Sequence, residues 1–224
     1  MDSQQGISLK IINLPLLCLL GFGPALVAGV GFGLEVFPTI VLPLGKLSIL
    51  AASIYYLWPI NLRWPSKRDL GRGLVHGAVL CVVPILFLAS GGLELLPTAP
   101  LKEKMVRIGF LDHFYLLVTL ISLANAGFEE WFFRGFIVSQ LQRRFSIKIT
   151  TILGAIFFMP HHFVILVNYM PLEWNLLFTA GTGVAGAYWT YFRARGESLY
   201  TLYLSHLICD LIIVGIGGTL LLGL

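Results

Sequence analysis

Asn125-Ala126-Gly127-Phe128-Glu129-Glu130-Trp131-Phe132-Phe133-Arg134-Gly135 lies inside an apolar run, about 110–141, that is long enough to cross a bilayer. The stretch puts two adjacent carboxylates and a guanidinium where hydrocarbon tolerates none of them alone. An ionisable side chain at membrane depth is costly unless it faces a polar interior, so each of these groups needs a partner. Two later apolar segments carry histidines at similar depth, His161 and His162 in one and His206 in the other. The reading of the chain turns on whether these groups meet.

Composition supports the membrane setting. The chain is 57% hydrophobic and only 12% charged, about half the charge of a soluble domain. Abundant glycine and phenylalanine suit close-packed membrane helices with interfacial anchors. The net charge of +4 does not point to nucleic acid, because the basic residues sit mostly in short loops between apolar runs. Cys18, Cys81 and Cys209 fall in separate apolar segments without metal-site spacing, and read as small buried apolar side chains.

A spanning helix needs roughly 20 mostly apolar residues. Seven stretches qualify or nearly so: about 11–31, 36–59 (interrupted by Lys46), 73–93, 110–141, 149–170, 174–192 and 198–222. The expected fold is all-α, a polytopic transmembrane bundle of about seven helices. The glycine-rich sixth stretch offers small residues for close helix approach. Loops holding Arg63, Lys67, Arg68 and Arg72, then Arg143, Arg144 and Lys148, then Arg193 and Arg195, share one side if the N-terminus is cytoplasmic. Lys102, Lys104 and Arg107 break the pattern, with Glu94, Glu103 and Asp112 nearby.

Glu130 and Arg134 are four residues apart and can pair on one helix face, with Glu129 turned about 100° toward another neighbour. One reading is a structural ion pair; another sets Arg134 near the cytoplasmic interface. Pro160 precedes the His161-His162 doublet and interrupts the local hydrogen-bond ladder. His206 and Asp210 share a face, where the carboxylate can fix the ring tautomer or each group can reach a third. His76 and His113 read as interfacial. One shared cavity would satisfy all these clusters with fewer penalties than separate pairs. A glutamate and a histidine in it could activate water, with a second histidine donating to an oxyanion. No Gly-x-Ser-x-Gly elbow and no His-Glu-x-x-His is present.

At these residues the chain resembles the CPBP family (CAAX protease/Abi), the Rce1-like glutamic intramembrane proteases. Glu-Glu-x-x-x-Arg matches Glu129, Glu130 and Arg134; Phe-x-x-x-His matches Phe157 to His161 and also Phe158 to His162; His-x-x-x-Asn/Asp matches His206 to Asp210. The resemblance covers about 110–220 and implies a four-helix catalytic core within 110–224, with residues 1–109 supplying N-terminal bracing helices. It implies an endopeptidase that hydrolyses a peptide bond near the membrane, with Glu129, His161, His206 and Asp210 catalytic. Glu130, Arg134 and His162 would be supporting or alternative residues. Relatives carry Asn at the last motif position, and an ionised Asp210 cannot donate to an oxyanion, so its expected part is to orient His206. No cofactor is implied, with zinc held by the glutamate and histidines as the alternative. The expected partners are the lipid bilayer and a membrane-associated peptide or protein, of CAAX type or a sorting or leader peptide. The expected location is a prokaryotic inner or plasma membrane. Two alternatives use the same polar core: a non-catalytic membrane scaffold or bacteriocin-immunity protein, and a proton-coupled transporter, which repeated halves would favour and which this chain lacks.

Overall fold

A computed structural model describes residues 11–33, 47, 48, 51, 53–55, 64–96, 99–107 and 109–224. Most of the second expected span, 36–59, together with Lys46 and Arg63, lies outside the described residues. The described part is an all-α helical bundle. In a bilayer the backbone must satisfy its own hydrogen bonds, and helices are how apolar runs of this length do so.

The helices are α1 (Leu14–Gly21), α2 (Gly23–Gly33), α3 (Lys67–Ala89), α4 (Ala99–Arg107), α5 (Leu111–Gln142), α6 (Ile147–Leu166), α7 (Leu172–Ala194) and α8 (Leu199–Leu222). Four of them, α3, α5, α6 and α8, are long and apolar enough to span a membrane; counting the bent pair α1–α2 as one span makes five. Together these cover five of the seven expected stretches; 36–59 lies mostly outside the described residues, and 174–192 forms α7. α7 has the length but carries Glu173, Asn175, Arg193 and several small or hydroxyl residues, which dilute its apolar character. Pro160 does not end α6, which runs on for six residues beyond it.

Short polar residues mark the helix starts. Ser66 caps α3 reciprocally with Asp69, and Ser146 and Ser198 accept the amides of Ile149 and Thr201 at the starts of α6 and α8. α7 stops at a left-handed glycine, Gly196 (φ 93°), where the Glu197 amide donates back to the Phe192 carbonyl at 3.0 Å. A side chain there would be strained, and the turn delivers the chain directly into α8. At the other end, Lys102 Nζ donates to the Leu222 carbonyl (2.7 Å), so one cation that breaks the loop-charge pattern caps the C-terminus of α8.

Glycines set the helix spacings. A Cβ on Gly154 would lie 2.6 Å from Thr190, one on Gly183 2.5 Å from Met159 Sδ, and one on Gly186 2.8 Å from Phe158 Cδ1. The α6–α7 pair is therefore closer than any larger residue would allow, as the glycine-rich sixth stretch predicts. A second seam joins α3 to α8, where Gly73 faces Leu204 and Gly77 faces Ile208, so the two helices run the same way. Cys81 continues this seam to meet Cys209, both buried as free thiols with sulfurs 3.5 Å apart. α1 is tied to the far end of α5: the Ile12 amide donates to Gln140 Oε1 (3.3 Å), and Arg144 donates to the Ile12 carbonyl.

His76 is buried within the bundle. It is 8% exposed, with Nδ1 2.7 Å from the Tyr188 hydroxyl and its ring against Phe192. Its position within α3, beside α7, buries it. His113 is exposed.

Replacing Gly186 with Ala would drive a methyl into the Phe158 ring, which is itself wedged against Phe133, His161 and Trp189. We expect a loss of about 1–3 kcal/mol, read as a lower melting temperature in detergent. Gly181→Ala, with open space at its Cβ, is expected to leave melting unchanged or slightly higher. Equal melting for the two variants would contradict the tight α6–α7 contact.

Candidate active site

α5 is not a uniform α-helix. At Glu130–Ile137 it widens into a π-helical stretch, flanked by α-helix on both sides. Such widened turns recur at functional sites because they re-aim side chains that a regular helix would stack in line. Here Glu129 is aimed at α6 and Glu130 at α8.

Both carboxylates are buried, at 2% and 1% exposure, and Arg134 is fully buried. Arg134 thus has its partners inside the protein, with Glu130 four residues back on the same helix. Its Nη1 lies 3.1 Å from Glu130 Oε1, and Nη2 donates to the Gly186 carbonyl at 3.3 Å. Its guanidinium lies 4.3 Å over the Phe158 ring and 5.1 Å from that of Trp189. An unpaired cation here would cost several kcal/mol, so carboxylate, carbonyl and aromatic faces together make its burial possible.

His161, on α6, places Nε2 3.3 Å from Glu129 Oε1. His206, on α8, places Nδ1 2.9 Å from Glu130 Oε1 and Nε2 3.8 Å from Glu129 Oε2. With Glu130 ionised against Arg134, Nδ1–H is the donor, and Nε2 is turned toward Glu129. Asp210 Oδ1 stands 3.6 Å from the same Nε2, beyond hydrogen-bond range. Glu130, not Asp210, therefore holds the ring of His206, the second of the two arrangements the sequence left open. His162 stacks against His161 with ring centroids 4.0 Å apart, and its Nδ1 lies 3.2 Å from the Phe158 carbonyl.

The structure brings together all seven residues singled out from the sequence: Glu129, Glu130, Arg134, His161, His162, His206 and Asp210. Separate ion pairs in separate helices, the bland alternative, are not what the fold builds. Sequence reading marked Phe158 only as one start of the Phe-x-x-x-His motif and missed the aromatic lining that it forms with Trp189. Phe158 touches Arg134 and all three histidine rings, and Trp189 stacks on His206. A tryptophan or phenylalanine in a membrane helix carries no mark that separates lining from lipid contact. The widened turn of α5 also had no sequence signal.

The arrangement can do acid–base chemistry on water. A carboxylate lies between imidazoles from two other helices, at distances that allow a water to bridge them. It can also hold a metal. Glu129, His161 and His162 each offer one ligand atom, all within 4.8 Å of one another. Three such donors with an open fourth position suit zinc, and the Phe158 carbonyl at Nδ1 would orient His162 with Nε2 free to ligate.

A second polar cluster adjoins the first. Glu197 Oε2 lies 3.0 Å from Arg72 Nη1 and 3.7 Å from His76 Nε2. Arg193 Nε donates to the Arg134 carbonyl (3.1 Å) and Nη1 to the Glu197 carbonyl (2.8 Å), joining the widened turn of α5 to the α7–α8 connection.

No curated protein and no solved structure matches the chain. A protein-family model does match, over residues 111–212, which run from the start of α5 into α8 and hold every residue of the cluster. Over that span, just under half of its length, the chain matches the family described as type II CAAX prenyl endopeptidase, Rce1-like.

Proposed function

We propose that this protein is a glutamate-dependent intramembrane endopeptidase. The observation that carries the reading is the position of the Glu129 carboxylate, with one oxygen 3.3 Å from His161 Nε2 and the other 3.8 Å from His206 Nε2. Family kinship over 111–212 supports peptide-bond hydrolysis at the membrane.

In this mechanism Glu129 takes a proton from a water shared with His161. The resulting hydroxide attacks the scissile carbonyl, and charge develops on its oxygen. His206, doubly protonated in this step with Nδ1–H held from behind by Glu130, donates Nε2–H to that oxygen. Glu129 then returns its proton to the leaving amine. Asp210 flanks Nε2 and acts on His206, not on the substrate. His161, in direct contact with Glu129, is the working member of the doublet; His162 packs behind it. The reaction needs no cofactor. If zinc were bound, Glu129, His161 and His162 would hold it, and it would supply a more acidic water.

The substrate is a peptide or protein met at the bilayer. The family's description makes a prenylated CAAX tail the first to test, ahead of sorting or leader peptides. The protein is read as lying in a prokaryotic inner or plasma membrane with a cytoplasmic N-terminus. Ile12 is held by Arg144 and Gln140, at the same end of the bundle as the start of α3, the end of α7 and the start of α8. Lys67, Arg68, Arg72, Arg143, Lys148, Arg193 and Arg195 belong to that end, as expected of the cytoplasmic side.

Glu129→Gln should abolish cleavage of a farnesylated CAAX peptide by the purified protein in bilayer discs, a loss of about 10²–10⁴-fold or more, with abundance and melting preserved. His161→Ala should cost far more than His162→Ala. If Glu129→Gln keeps the cellular phenotype of the intact protein, a scaffold or immunity role replaces this one. Cleavage should persist after exhaustive treatment with EDTA and 1,10-phenanthroline; loss on chelation, restored by zinc, would move Glu129, His161 and His162 to a metal site. Reporter fusions should find the N-terminus and the loop at 143–146 in the cytoplasm, and the loop at 167–171 and the C-terminus outside. The reverse pattern would overturn the orientation.

A further inference from the structure

His206 is fixed by more than its hydrogen bond. The Glu130 contact decides which ring nitrogen faces the α5 carboxylates, but one hydrogen bond leaves the plane of an imidazole free to swing about it. The plane is set by α7. The Trp189 indole lies parallel to the ring, with centroids 4.3 Å apart and 21° between planes. The indole is itself immobile. It is 2% exposed, its Nε1–H donates to Ser205 Oγ at 3.0 Å, and its other neighbours are the Arg134 guanidinium (5.1 Å) and the edge of Phe158 (6.1 Å). Tryptophans that anchor membrane proteins sit at the interface with the indole N–H toward water; this one turns its N–H inward to α8.

We infer that Trp189 is a positioning residue that holds the plane of His206 so that Nε2 points into the gap between Glu129 and Asp210. This rests on the proposed role of His206 as the donor to the developing oxyanion. A donor in that role must be aimed before the charge forms, because a ring that swings must be reoriented during the reaction. The stack supplies that aim, and Glu130 supplies the choice of nitrogen.

The test uses the full-length protein in bilayer discs, with turnover of the farnesylated CAAX peptide expressed per folded protein. Trp189→Leu should lower kcat about 10–100-fold, the usual cost of a misaimed group, with KM little changed. Trp189→Phe, which keeps an aromatic face, should recover most of that loss. Ser205→Ala removes the indole's hydrogen bond but not the stack, and should leave kcat near wild type. Imidazole quenches indole emission on contact, so His206→Leu should raise fluorescence in the Trp189 protein and not in Trp189→Phe.

A kcat for Trp189→Leu equal to wild type, or no emission change on removing His206, would overturn the inference. So would equal losses in Leu and Phe variants, which would mean that bulk and not stacking matters. Should Trp189→Leu not fold, the Phe and Ser205 variants and the fluorescence pair decide the matter. Activity retained by Glu129→Gln would instead bring down the protease reading, whatever Trp189 does.

Discussion

One carboxylate oxygen holds the centre of this protein together. Glu130 Oε1 forms an ion pair with Arg134 Nη1 on its own helix (3.1 Å) and accepts from His206 Nδ1 on α8 (2.9 Å). Through Arg134 the same group reaches the Gly186 carbonyl of α7 and the Phe158 ring of α6. Four helices thus meet at one buried anion. In a low-dielectric setting none of these charges is stable without the others, since removing one partner of a buried pair costs about 3–5 kcal/mol. That mutual dependence leaves Glu129, the adjacent residue, free to face His161 and His206 Nε2.

The apolar architecture serves this arrangement. Helices in lipid gain little from hydrophobic burial against each other, so close packing and interhelical hydrogen bonds must bring them together. Gly154, Gly183 and Gly186 let α6 and α7 approach until Phe158 and Trp189 close around Arg134. Gly73 and Gly77 do the same for α3 against α8. The left-handed turn at Gly196 then starts α8 so that His206, Cys209 and Asp210 pass alongside α5 and α3. Arg193 ties that turn to the Arg134 carbonyl in the π-helical stretch, where widened geometry leaves carbonyls open to side-chain donors.

Much of this was legible because charge in an apolar run is rare and expensive. Seven polar residues stood out in the sequence on that ground, and all seven come together in space. The reading stopped where cost gave no signal. His76 lies near the start of a span, and α7 and Glu197 supply it with a buried polar niche. The spacing of His206 and Asp210 left open whether they pair or each reach a third group, and Glu130, distant in sequence, takes the ring nitrogen. α7 forms at the sixth expected stretch, and its Gly, Thr and Asn content suits a helix packed against neighbours.

The sequence by itself determined that this chain is a helical bundle for a membrane, and which ionisable groups would be forced to find partners there. Both follow from the price of exposing backbone and charge to hydrocarbon, a local property of each segment. The tertiary structure alone decided which partner each group took, that α5 widens from Glu130 to Ile137, and that Trp189 lies flat against His206. Those outcomes depend on the register and spacing of helices that are far apart in the chain. Periodicity along one segment carries no information about either.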